Sequence, residues 1–268
     1  MPAAALAFAL AAAGFHALWN LLLARARDVE AAAAVALLTA EIVFAPVAVV
    51  VWHVDAGVWP WLVGSGLFEL AYFALLATAY RLAPLSVVYP VARGGAPVLV
   101  LLVSVVALGT TTSARQVLGV CLVVAGVLLV RGLGRADAAG FVFGAAIACC
   151  IAGYTLIDKH GIEHANAITY LELSMIGPTI VYAGVVTRFK DVRAAVSPAS
   201  IVAGIATFVA YAFVLAALER ASAASVAAVR ETSVVVAAAL AALVLKEQVT
   251  RWRLLGAATV VAGIALLS

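Results

Sequence analysis

Apolar residues fill this chain in stretches of about 20, a length that carries a helix across a hydrocarbon layer of about 30 Å. Charged and turn-forming residues collect in the short gaps between the stretches. The pattern predicts ten spans, at roughly 3–24, 31–52, 58–80, 85–108, 116–130, 138–157, 167–187, 200–218, 223–245 and 254–267. Arg25-Ala26-Arg27-Asp28, Arg188-Phe189-Lys190-Asp191-Val192-Arg193 and Lys246-Glu247-Gln248 are among the connections. Spans five and ten cover only about 22 Å, so either the bilayer thins there or a flanking turn extends them.

The pattern also repeats in detail. Leu118-Gly119, Val123-Val124-Ala125-Gly126 and Leu129 recur at Leu255-Gly256, Val260-Val261-Ala262-Gly263 and Leu266, an offset of 137. Ala71-Tyr72, Leu76-Ala77, Arg81 and Ser86-Val87 recur at Ala210-Tyr211, Leu215-Ala216, Arg220 and Ser225-Val226, an offset of 139. The chain therefore divides into two copies, 1–133 and 134–268, each of five spans. Five is odd, so the second copy enters the membrane from the opposite side, and equivalent residues are related by a pseudo-twofold axis in the membrane plane. The predicted fold is an all-α polytopic membrane protein: ten transmembrane helices in two inverted five-helix repeats around a central cavity.

Composition narrows the class further. Of 268 residues, 67% are hydrophobic and 11% charged, where a soluble domain carries about 25% charged residues. The formal charge of +3 is scattered between apolar runs, which is no nucleic-acid patch. Cys121, Cys149 and Cys150 sit inside apolar runs as packing residues and make neither a disulfide framework nor a zinc motif. No cofactor or metal motif is evident. The N-terminus has no basic leader and no evident cleavage site, so Ala3 to Ala24 reads as a retained span of a cell-membrane protein. Arg25, Arg27, Arg81, Arg131, Arg135, Arg188, Lys190, Arg193, Lys246, Arg251 and Arg253 lie in the odd-numbered loops. Arg115, Lys159 and Arg220 lie in the others. That bias places the odd loops in the cytoplasm and both chain ends outside.

Polar residues within the spans carry the chemistry, because a charge at mid-bilayer costs at least about 2.5–3.5 kcal/mol on insertion scales and so faces protein or a wet cavity. Several are repeat partners: His16 with Tyr154, Asn20 with Asp158, Glu41 with Glu172, Tyr72 with Tyr211, and Arg93 with Arg230. Arg93 and Arg230 lie about eight residues into their spans, some ~12 Å deep. As permanent cations that fork onto carboxylate or phosphate they form an anion clamp, or else a structural ion pair, with Arg230 and Glu231 satisfying partners elsewhere in the bundle. Pro90 and Gly94-Gly95 flank Arg93 and predict a bend in span four, serving either a cavity or packing. His16, Trp19 and Asn20 share one helical face, where Trp19 is a candidate stacking surface.

Tyr72, Tyr89, Tyr154 and Tyr211 offer hydroxyls to a ligand or to neighbouring helices. Glu69, at mid-span, is a candidate proton carrier or the ion-pair partner of Arg93 or Arg230, with pairing preferred. Glu41 and Glu172 each precede a proline and face either the cavity or an interface. Asp158 and Lys159 end span six, as cavity residues or as the start of a loop. The candidate substrate contacts are thus Trp19, Asn20, Tyr72, Tyr89, Arg93, Tyr154, Tyr211 and Arg230, and the candidate proton-coupling or ion-pairing groups are His16, Glu69, Asp158 and Glu231. Gly140-Phe141-Val142-Phe143-Gly144 supplies small residues for close helix approach.

Phe15-His16-Ala17-Leu18-Trp19-Asn20, Leu82-Ala83-Pro84-Leu85-Ser86-Val87-Val88-Tyr89-Pro90, Arg230-Glu231-Thr232-Ser233, Leu118-Gly119 and Leu254-Leu255-Gly256 together resemble the EamA-domain family of the drug/metabolite transporter superfamily. The resemblance covers nearly the whole chain. It implies a cavity lined by helices one, three, four, six, eight and nine, and alternating-access transport of small metabolites, often efflux of amino acids or related compounds. On those helices fall Asn20, Glu69, Tyr72, Arg93, Asp158, Tyr211 and Arg230; Glu41 and Glu172 do not. The chain departs from the family at Gly109-Thr110, where many members carry Gly-Glu, while Lys246-Glu247 keeps the glutamate. Its second loop, His53-Val54-Asp55, has no Lys or Arg, and the charge count is followed for orientation over the family's cytoplasmic ends.

The expected function is a secondary transporter of a small metabolite, amino-acid-like or otherwise small and anionic, working as an exporter. A flippase for a lipid-linked substrate is the alternative, and a non-transporting assembly subunit a third reading. No Walker-type Gly-x-x-x-x-Gly-Lys supports ATP drive, and neither Gly-x-Ser-x-Gly nor His-Glu-x-x-His supports an intramembrane enzyme. The expected partners are a small-molecule substrate and membrane lipids, with the chain a monomer or homodimer.

Overall fold

Polar caps set the starts of several helices. Asp28 accepts from the Ala31 amide at 3.1 Å to begin a helix, and Asp137 accepts from Gly140 at 2.6 Å to begin another. Asn166, Ser197 and Ser222 cap three more, with Ser197 and Ser200 forming a reciprocal capping box. The computed structural model describes residues 1–83, 85–131, 137–236, 239 and 250–267. Its helices are α1 Ala3–Ala24, α2 Val29–Val50, α3 Trp59–Leu82, α4 Leu85–Val106, α5 Ala114–Arg131, α6 Ala138–Gly161, α7 Ala167–Val186, α8 Pro198–Leu218, α9 Ala223–Arg230 and α10 Arg251–Leu267. Seven are long and apolar enough to cross a membrane, and α5 and α10 hold shorter apolar segments. The two short spans gain flanking residues, as one of the two sequence readings expects. Large apolar side chains such as Ile42, Val50, Val106, Phe141 and Ile180 are exposed on the outer surface, where hydrocarbon rather than water is the natural solvent.

Two features of the spans bear on the site. Span four is one continuous helix through Arg93. Its glycines serve close packing: a Cβ at Gly94 would stand 3.3 Å from Leu128 of α5, and one at Gly95 3.1 Å from Ala148 of α6. The irregular backbone lies in the other repeat. After Arg230 the ninth span tightens, with Glu231, Thr232 and Val234 each donating three residues back, to Ala228, Val229 and Glu231. Helix resumes at 233–236. The rest of that predicted span, with Lys246 and Glu247, lies outside the described residues, as does Arg135. Asp158 and Lys159 are not loop residues: α6 continues past them to Gly161.

Helix pairing follows the repeat. α1 packs on α8 as α6 packs on α3, α2 on α8 as α7 on α3, and α4 on α6 as α9 on α1. The equivalent helices α5 and α10 pack on each other, as do α2 and α7. Both of these pairs run antiparallel. Gly119 of α5 meets Gly263 of α10, and Gly126 meets Gly256; a Cβ at Gly126 would stand 2.6 Å from the Gly256 carbonyl oxygen. On the other pair, Thr169 donates to the Ala48 carbonyl at 3.2 Å, Thr179 to Glu41 at 3.3 Å and Tyr182 to the Glu30 carbonyl at 3.5 Å. Small residues let these helices touch where apolar attraction between them is weak in lipid.

Candidate functional site: an arginine-floored cavity between the repeats

A cavity of about 650 Å³ lies between the two repeats, within the range of small-molecule sites. α1, α3, α4, α6, α8 and α9 line it, as the resemblance implies, and α2 and α7 contribute Glu41, Leu171, Met175 and Tyr182 as well. It reaches the face formed by the odd-numbered loops, where Arg27, Asp28, Glu30 and Lys190 stand at its mouth. There Lys190 of the second repeat bonds Asp28 of the first at 2.9 Å. The hydrogen bond from that ammonium holds the Asp28 carboxyl below its ordinary value.

The opposite face is sealed. Val54 and Ala165 form an isolated antiparallel bridge between the second and sixth loops, flanked by Asp55 N–H to His164 O and Asn166 N–H to His53 O, both 2.9 Å. The Asp55 carboxylate meets His164 Nδ1 at 3.1 Å. Gln116 donates to Ser222 and Ser225 at 3.2 Å each, and Lys159 donates to the Leu218 carbonyl. Lys159 is therefore part of the closed face.

The floor of the cavity is built on the two arginines. Arg93 is 6% exposed and Arg230 4%, both too deep to reach the membrane surface along their own stems. Arg93 Nη1 meets Glu231 Oε1 at 3.4 Å, Nη2 bonds His16 Nε2, and the guanidinium lies 5.4 Å from the centre of the Tyr89 ring. His16 is in turn fixed within α1, since Trp19 Nε1 donates to its Nδ1 at 3.2 Å and Asn20 donates to its carbonyl at 2.7 Å. The shared face read from the sequence is thus a bonded unit aimed at Arg93. Arg230 is less satisfied. Its Nη2 donates to Tyr154 at 3.4 Å, and its Nε has no hydrogen-bond partner. Tyr72, Tyr154 and Tyr211 stand edge to face around it, with ring centres 6.5 Å and 6.0 Å apart.

All eight predicted substrate contacts line the cavity, together with His16 and Glu69. Two predicted groups stand behind its wall. Asp158, 1% exposed, accepts from Tyr211 and, at 2.9 Å, from Tyr170, so it anchors a tyrosine of the lining. Glu231 sits behind Arg93 as its counter-ion. Among the described residues, no ion pair joins Glu69 to Arg93 or Arg230, contrary to the preferred reading; the acidic neighbour of Arg230 in sequence reaches Arg93 first. Phe73, Phe208 and Tyr182 also line the cavity. An aromatic residue on an apolar helix carries no mark in the sequence that separates cavity from lipid.

These features define a multi-pass helical membrane protein whose two related halves enclose a largely apolar cavity with buried arginines at its floor. The family model described as the EamA-like transporter family matches residues 3–132 and again 138–268. The chain belongs to that family, a group of membrane transporters within the drug/metabolite transporter superfamily. No match was found among curated proteins. A solved structure titled "Crystal structure of protein" is similar over 98% of this chain and 94% of its own, with a TM-score of 0.78 at 18% identity; it shares the fold.

Proposed function

We propose that the protein is a secondary transporter that exports a small anionic metabolite, amino-acid-like in size, by alternating access between two inverted repeats. The observation that carries this reading is a cavity open at one face and sealed at the other, with an under-satisfied arginine at its floor. Guanidinium recognises carboxylate, and the surrounding aromatic rings suit the apolar body of such a molecule. The antiparallel packing of equivalent helices supports the inversion. With the odd loops cytoplasmic, the open face takes substrate from the cytoplasm, the entry side of an exporter. All ten predicted spans cross the membrane in this arrangement.

A ligand thermal-shift screen tests the substrate class. Amino acids and organic acids are expected to raise the melting temperature of the purified protein in proportion to RT ln(1 + [L]/Kd). Arg230→Ala is expected to remove the shift. Hits confined to neutral sugars, or retained in Arg230→Ala, would overturn the anion assignment. Alternation has its own test. Opposed residues of an antiparallel bridge lie about 4.5–5.5 Å apart at Cα, within disulfide reach. In a background without Cys121, Cys149 and Cys150, Val54→Cys with Ala165→Cys is expected to cross-link on oxidation. It should stop counterflow of whichever screened compound binds, and reductant should restore it. Undiminished counterflow through the cross-linked protein would refute opening at that face.

A further inference from the structure

The repeat partners Glu41 and Glu172 meet across α2 and α7, the antiparallel pair that joins the halves. Glu172 and Thr179 stand two turns apart on one face of α7, and Thr179 reaches Glu41, which sets both carboxyl groups on the α2–α7 contact. Thr179 satisfies Glu41 Oε1 at 3.3 Å. The remaining oxygens, Glu41 Oε2 and Glu172 Oε2, are both buried and have no hydrogen-bond partner; Glu172 as a whole is 5% exposed. Among the described residues no cation pairs with either of them. α1, α3, α8 and the turn Arg193–Ala195 pack on α2 and α7, and among the described residues their groups His16, Glu69, Tyr72, Arg193 and Tyr211 form no ion pair or hydrogen bond with either carboxyl.

Two ionised carboxylates are acceptors only, and each unmet buried acceptor is costly. Two like charges in a low dielectric add repulsion. One proton removes all three penalties. It makes one carboxyl a donor to the other, gives both orphaned oxygens a shared bond, and takes the charge of the pair from −2 to −1. We propose that Glu41 and Glu172 form a proton-binding site, apart from the arginine floor, through which transport is driven by the proton gradient. The coupling half of this statement rests on the transporter reading above.

The location fits that role. Glu41 lines the cavity, so a proton arrives from its aqueous side. Glu172 lies five residues into α7, about two turns below the Val54–Ala165 bridge. Loss of the proton leaves two charges pushing α2 from α7 directly beneath the sealed face. Protonation draws them together. Pro46 and Pro178, inside the same two helices, remove one backbone bond each and lower the resistance to such bending.

Infrared difference spectroscopy on the full chain in lipid, stepped between about pH 5 and about pH 9 in sodium-free potassium buffer, tests the site directly. A protonated-carboxyl C=O band should disappear on alkalinisation. Glu41→Gln and Glu172→Gln should each abolish it, because a single glutamine amide donates the bond that the proton otherwise supplies and leaves its partner ionised. Glu69→Gln should leave that band in place. Glu41→Asp keeps both carboxyls and should shift the band without removing it, which separates loss of the site from loss of the fold. A band untouched by either glutamine variant, or touched by only one, would overturn the shared site. A carboxylate change driven by added sodium would replace it with a cation site. The spectrum needs no substrate. A well-behaved band with no ligand in the thermal-shift screen would sink the transporter reading alone; ligand binding without the band would sink the proton site alone.

Discussion

Arg93→Ala is expected to lose ligand binding and to destabilise the protein by about 3–5 kcal/mol, the usual cost of stranding one member of a buried pair. Glu231, 1% exposed, loses its cation, and its Oε2 already lacks a partner. His16 loses the guanidinium that its ring is oriented to meet. The two effects separate in a cycle. Glu231→Gln removes the stranded charge, so the double variant Arg93→Ala with Glu231→Gln should recover most of the melting temperature while binding stays absent. Denaturation midpoints and thermal shifts on the four proteins of the cycle measure both. Additive losses in the double variant would show that Arg93 and Glu231 do not act as a pair. Recovered binding would move the ligand away from Arg93.

Gly126→Leu is expected to be the most damaging substitution outside the cavity. A Cβ at position 126 would lie 2.6 Å from the Gly256 carbonyl oxygen and 2.7 Å from the Val260 nitrogen. Both are backbone atoms, so no rotamer change relieves the contact, and α5 must move off α10. Overpacking typically costs about 1–3 kcal/mol, and here the whole isobutyl group falls in the interface. Gly184→Ala is the matched control: nothing lies within 4 Å of a Cβ there. It should be neutral or raise stability by about 0.4–1 kcal/mol through the unfolded chain. Yield of monodisperse protein and melting temperature read both. Equal behaviour of the two variants would mean that α5 and α10 do not depend on close approach.

Much of the site was legible because burying polarity in a membrane is expensive. His16, Asn20, Arg93 and Arg230 stood out against apolar runs, and their recurrence in both copies pointed to one shared place. What failed was the assignment of partners. Glu69 and Glu231 are both acids near the arginines, and sequence distance cannot say which carboxylate a guanidinium meets. The side chain of Glu231 crosses to the other repeat to reach Arg93, a contact 138 residues apart. Asp158 illustrates the same difficulty from the opposite direction: its polarity marked it, but only packing shows that Tyr170 and Tyr211 occupy it. The glycines beside Arg93 left cavity and packing open, and the structure sets both against neighbouring helices at close approach.

The sequence by itself determined the class and the duplication. Each of these depends on local periodicity and on self-similarity, which need no knowledge of contacts. It also marked the buried charges, because their cost is paid wherever they sit. Only the tertiary structure decided which charges meet, which face of the cavity is closed, and that Glu41 and Glu172 face one another across α2 and α7. Those outcomes depend on how far each helix slides and turns against helices more than a hundred residues away. The energies that fix such registers come from glycine contacts, threonine hydroxyls and single methyl groups, small differences that a linear pattern of apolar and polar positions does not contain.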